Sequence, residues 1–125
     1  MPRPIDEIIK DLSKPIPQRL LKDKTVGGTK IKYLPWHTAV KFLDLYAPGW
    51  SYEIRHLMGI GGKLVLVSRI SIPCAEGVVY REATGQEEET VDRYGDPASN
   101  AESKSLRRAA AKFGLGISLY ERKQS

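Results

Sequence analysis

The 125-residue chain is 41% hydrophobic and 28% charged, with a net charge of +5. That composition suits a single globular domain with one modest core, and its basic excess leans toward a polyanionic partner without indicating a fold. One cysteine and two histidines exclude an internal disulfide and a Cys/His zinc cluster. No apolar run nears the roughly 18 residues of a membrane span, and the N-terminus lacks the apolar region of a secretory signal. The chain is therefore expected in a reducing cytoplasm, with no membrane contact.

The predicted elements begin with a short helix over 5–12, where Ile5, Ile8, Ile9 and Leu12 share one side; Pro15 and Pro17 break it. A loop carrying Val26-Gly27-Gly28 leads into a short strand over 29–34, "TKIKYL". A second helix is predicted over 36–47 because Trp36, Ala39, Val40, Leu43, Tyr46 and Ala47 recur on one apolar face. Trp36 is assigned to packing on that basis, and His37 to a structural role beside it. Pro48-Gly49 ends the helix.

The period then changes to two. "WSYEIRH" alternates, "GIGG" at 59–62 reads as a hairpin turn, and "KLVLVSRISI" follows as a longer strand. Its Leu64, Leu66, Ile70 and Ile72 share one side, while Val65 and Val67 make the other side partly apolar. "CAEG" turns the chain, with Cys74 as a small buried side chain, and "VVYREATG" supplies a third strand. Turns this short predict an antiparallel meander. The polar stretch 86–96 is expected as loop.

The last helix starts at Asp96 as cap and Pro97 at the first helical position. At about 100° per residue, Leu106, Ala109, Ala110, Phe113 and Ile117 fall on one side. Lys104, Arg107, Arg108 and Lys112 fall on the other, and Gly114 and Gly116 terminate the helix. The fold class is α+β: a three-stranded antiparallel meander with a helix before it and a covering C-terminal helix.

Charge is unevenly spread along this layout. Residues 1–41 hold nine Lys/Arg against four Asp/Glu, residues 42–103 five against ten, and residues 104–125 six against one. If the two ends meet in the fold, one face is strongly positive. No glutamate interleaves the cations of the last helix from 103 to 120, so no pairs four residues apart neutralise them. Arg19, Lys22, Lys24, Lys30 and Lys32 precede or flank Tyr33, and cations beside rings suit single-stranded nucleic acid. The competing enzyme reading is a metal-dependent nuclease built on Glu87, Glu88, Glu89, Asp92 and Asp96; a third reading is a basic RNA- or DNA-binding module without annealing activity.

"YGDPASNAESKSLRRAAAKFGLG" and "KIKYLPWHTAVKFLDLYAPGWSYEI" resemble the closing helix and the earlier signature of the Rad52/Rad22 family of single-strand annealing proteins. The resemblance covers about residues 16–120, the annealing core, leaving 1–15 as an N-terminal helical arm and 121–125 as a tail of one domain. It implies a β-β-β-α core, assembly into rings or short helical arrays, and single-stranded DNA held in a basic groove. Complementary strands would be annealed in recombination and repair without nucleotide, metal or other cofactor. Further implied partners are other copies of the chain and a recombinase or single-strand-binding protein; in a bacterial or phage host the location would be nucleoid-associated. By the same resemblance, Arg107 and Arg108 take the paired backbone-holding positions, Arg19 a basic position near the groove, and Tyr33 an aromatic one on the basic hairpin. Lys63 takes a position of a second, outer DNA site. The family's further cation one turn after the pair falls on Ala111, with Lys112 adjacent, and a second outer-site lysine has no counterpart near the acidic Glu87–Glu89. Lys30, Lys32, Lys104 and Lys112 join the set by charge and position.

Overall fold

A computed structural model describes residues 2–88 and 96–121. Helix α1, Ile5–Leu12, buries Ile8 and Leu12 completely. It is thus part of the core rather than an arm standing off from it. It is tied to the strand turn at 75–76, where the Ala75 N–H donates to Arg3 O and the Ile5 N–H donates to Glu76 Oε1 at 2.9 Å. That backbone donor holds the Glu76 carboxyl below the usual carboxylate range.

After a 3-10 turn at Gln18–Leu20, strand β1, Lys22–Val26, pairs antiparallel with β2, Thr29–Tyr33. The sequence reading had one strand here and a loop before it. "KDKTV" carries no alternating apolar pattern, but Gly27 and Gly28 both take positive φ, the requirement of a two-residue hairpin turn, and Asp23 lies across from Lys32. The turn at Gly61-Gly62 is built the same way.

Helix α2, Trp36–Tyr46, buries Ala39 and Leu43 fully. The three-stranded sheet has order β3-β4-β5, with β3 at Ser51–Ile60, β4 at Lys63–Cys74 and β5 at Gly77–Glu88. All neighbours are antiparallel, with a bulge at Arg55 between Ile54 and His56. On β4, Leu66, Ser68, Ile70, Ile72 and Cys74 are buried while the residues between them are half-buried. The period-two pattern therefore faces one side toward the helices. β5 runs on through Gln86, Glu87 and Glu88, which pair with Val65, Leu64 and Lys63; strand pairing overrides the polar composition that suggested a loop from 86. Residues 89–95 of that stretch lie outside the described residues.

Helix α3, Pro97–Lys112, is capped by the Asp96 side chain, which accepts from the Ala98 N–H. It lies across β4 and β5 and buries Leu106, Ala109, Ala110 and, just past its end, Phe113. Its approach to β5 is very close because Gly85 has no side chain. Beneath it, the Ser105 hydroxyl donates to Ala83 O at 2.8 Å and in turn accepts the Ser68 hydroxyl, so both buried serines are satisfied. Tyr52 on β3 donates to Glu102 at 3.1 Å, and burial, with that carboxylate, raises its phenol above the ordinary value. Ile117, expected on the apolar side of this helix, is not there. Gly114 and Gly116 take positive φ and turn the chain into α4, Ile117–Glu121, where Ile117 is exposed and Leu115 fills the core instead.

Two expectations on α2 also fail. Trp36 is 51% exposed, and His37 is exposed beside it with its ring edge-on at 5.8 Å. Helical side chains lean toward the N-terminus, so a tryptophan in the first turn overhangs the end of the packed surface that Ala39 and Leu43 occupy.

Candidate nucleic-acid interface

The basic ends of the chain do meet. A cleft of about 290 Å3 opens between the β1–β2 hairpin and α3. Lys32 and Tyr33 come from the hairpin, and Lys104, Arg107 and Arg108 from the helix. Leu34, Leu115 and Leu119 supply apolar lining. Five of the nine residues proposed from sequence are thereby gathered. Lys30 is exposed on the hairpin outside the lining, 4.0 Å from Asp23. Lys112 lies beyond the cleft at the end of α3. Arg19 borders a separate depression with Lys14, Phe42 and Tyr46. Lys63 is at the tip of the β3–β4 hairpin, away from the cleft.

The Tyr33 ring is the focus of the charge. Lys24 Nζ stands 5.3 Å from its centroid and the Arg107 guanidinium 5.2 Å from it, each within cation–π range. Lys24 was named from sequence only as one of the cations flanking Tyr33, without its contact with the ring. The signal that could have found it is the hairpin register, which sets Lys24 opposite Ile31 and Lys22 opposite Tyr33 on one face. Tyr120 was missed altogether. Burial raises its phenol above the ordinary value, and the charges of Arg107 and Arg108 partly counter that.

Not all the cations are equally available. Lys32 pairs with Asp23 at 2.9 Å, and Lys104 with Glu87 at 3.2 Å. The absence of glutamate from 103 to 120 did not reveal the second pair, because Glu87 arrives from β5. Arg107 and Arg108 form no ion pair among the described residues; Arg107 donates to Ser103 O and Arg108 to Thr84 O and Oγ1. Neutral acceptors orient these guanidinium groups and leave their charge uncompensated, which is what an incoming anion needs.

A regular pattern underlies this. Lys104, Arg108 and Lys112 donate to the carbonyls of Gln86, Thr84 and Glu82 respectively. Four residues of helix advance about 6 Å and two residues of strand about 6.8 Å, so each turn of α3 meets one carbonyl on the free edge of β5. The cationic face of α3 is thus also a ladder along a strand edge.

The acidic set does not form a metal centre among the described residues: no three His, Cys, Asp or Glu side chains gather there. Glu87 is held by Lys104, and Asp96 caps α3. Glu89 and Asp92 lie outside the described residues. Cys74 is buried, its thiol donating to Gly77 O. No described helix is long and apolar enough to cross a membrane.

An α+β unit with a basic, aromatic-lined cleft between a hairpin and its closing helix defines the class, and comparison with known proteins gives the family. The model of the Rad52/22 family double-strand break repair proteins matches residues 4–125; the chain belongs to that family. It is 35% identical over 120 residues to the Arabidopsis thaliana mitochondrial DNA repair RAD52-like protein 1, covering 94% of this chain and 68% of that protein. It is 38% identical over 122 residues to the chloroplastic DNA repair RAD52-like protein 2 of the same plant, covering 94% of this chain and 61% of that one. The chain thus spans roughly two-thirds of the length of these relatives, and their organelle locations differ from the cytoplasmic expectation.

Proposed function

We propose that this chain binds single-stranded DNA in the hairpin–α3 cleft and pairs complementary strands without nucleotide or metal, as a non-enzymatic repair protein. The observation that carries the reading is the uncompensated Arg107–Arg108 pair beside the cation-flanked Tyr33 ring. Arginines neutralise phosphates, and contacts to the backbone leave base edges free to pair. Duplex formation is downhill, so lowering phosphate repulsion and holding strands open suffices to accelerate it. Self-association supports the same reading. Ile54, Leu57, Met58 and Ile60 on β3, and Val78 and Tyr80 on β5, are exposed and offer apolar surface that a second copy would cover.

The test is the rate of annealing of two complementary oligonucleotides in EDTA, without nucleotide, from substoichiometric to full coverage. A rate above the protein-free one supports the reading. Tight binding with no acceleration leaves a plain nucleic-acid-binding module, and activity that a chelator abolishes points to the metal-dependent alternative.

Asp23 gives a second expectation. Its hydrogen bond with Lys32 holds its carboxyl below the usual range. A lowered carboxyl stays ionised above its ordinary pKa, so this pair persists between about pH 5 and 8 and is lost only in stronger acid. Asp23→Asn releases Lys32 and Lys30 at all these pH values. Single-stranded DNA should bind roughly two- to five-fold tighter at low salt, with the gain fading as salt rises; fluorescence anisotropy across a salt series reads this directly.

A further inference from the structure

Trp36 is the large aromatic that the core leaves outside. Half its surface is in water, and His37, itself exposed, is the ring packed against it. It follows Tyr33 by three residues, with Leu34 and Pro35 buried between them. Its Cα therefore lies within about 11 Å of that of Tyr33, next to the cleft wall. Its helix end has no side-chain cap and no acid in the first turn, so no carboxylate at that end repels a polyanion; Asp44, eight residues on, accepts from Trp50.

The surroundings decide between a nucleic-acid base and a second protein copy. The apolar surface that would suit another copy lies on β3 and β5, at Ile54, Leu57, Met58, Ile60, Val78 and Tyr80. On α2 the other exposed large apolar side chain is Leu45, nine residues and about 13.5 Å further along the helix. Trp36 is thus a single flat ring bordered by an imidazole and a basic hairpin. A lone ring of that kind matches one π-face of a base, whereas the core of a protein interface is a patch of many side chains, and no other exposed large apolar side chain of α2 lies near it.

We propose that Trp36 is a second stacking position, beyond Tyr33, for the single strand that the cleft holds. The inference rests on the cleft being the single-stranded DNA site. Stacking uses a face of the base and leaves its pairing edge open, so the contact is compatible with annealing. It sets spacing along the strand where the phosphate contacts set charge.

The chain has two tryptophans, and Trp50 donates its indole N–H to Asp44. The variant Trp50→Phe makes Trp36 the sole indole reporter. An oligodeoxythymidylate is titrated while a labelled end reports binding by anisotropy. Quenching of Trp36 that tracks occupancy, and no quenching by an abasic strand that binds, support the proposal. Trp36→Ala should weaken binding roughly five- to 150-fold with an unchanged salt slope, and Trp36→Phe should restore most of it. If anisotropy shows binding while Trp36 emission stays constant, the stacking position is wrong and the cleft stands. Emission that changes with protein concentration alone, and not with DNA, shows that a second copy covers the ring and also overturns the proposal. If anisotropy shows no binding, the cleft reading falls and this one with it.

Discussion

Replacing Arg107 and Arg108 together by alanine should lower single-stranded DNA affinity on the order of a hundredfold at low salt, taking charged hydrogen bonds at the low end of their usual range. The diagnostic quantity is the salt slope. Two lost phosphate contacts flatten the dependence of log affinity on log salt by roughly 1.4. A folded double variant with the parental slope would remove both residues from the interface. The two positions should respond differently to lysine. Arg108 acts by charge and its reach to Thr84, so Arg108→Lys keeps much of the binding. Arg107 also stands over the Tyr33 ring, and a planar guanidinium does this better than an ammonium, so Arg107→Lys loses more. Thermal unfolding controls for the contact of Arg108 with β5.

Gly85→Ala should be strongly destabilising. A Cβ there would lie 2.5 Å from Ser105 N, 3.0 Å from Ser105 Cα and closer still to Ala101 O. These are backbone atoms of α3, so no side chain can rotate away, and the helix must lift from the sheet. Overpacking commonly costs roughly 1–3 kcal/mol; this one belongs at or above the top of that range, a fall in Tm of about 10 °C. Lifting α3 also displaces Arg107 and Arg108, so DNA binding should weaken in step. A variant with unchanged Tm would show that the helix does not rest on β5 as described.

The meander was legible because β4 alternates over its whole length and short turns at Gly61-Gly62 and between Cys74 and Gly77 bound it. The body of α3 was legible from its cap, its Pro97 and its apolar stripe. β1 was not, because a short charged strand is held by its partner and its turn rather than by a buried face. The end of β5 was hidden for a related reason: Glu87 reads as loop until its partners Leu64 and Lys104 are seen. Trp36 obeyed the helical period yet fell outside the core, since periodicity gives direction around an axis and not where the packed surface stops. Of the site, the two arginines and Tyr33 could be found from sequence and family resemblance. The contact of Lys24 with the Tyr33 ring required the hairpin register, and the pairing of Lys104 with Glu87 required a contact between residues 17 apart in sequence.

The ladder from Lys104, Arg108 and Lys112 to the β5 carbonyls has a consequence for how copies of this chain can stack. A sheet grows indefinitely only when each unit offers two open edges. Here one edge is occupied by side-chain donors, and β3, with its bulge at Arg55, is the other. While the three cations hold those carbonyls, backbone pairing with another strand is easier at the β3 edge than at the β5 edge. Extending the sheet past β5 has to displace those three cations first, so the ladder works against the endless cross-strand growth that an open meander invites.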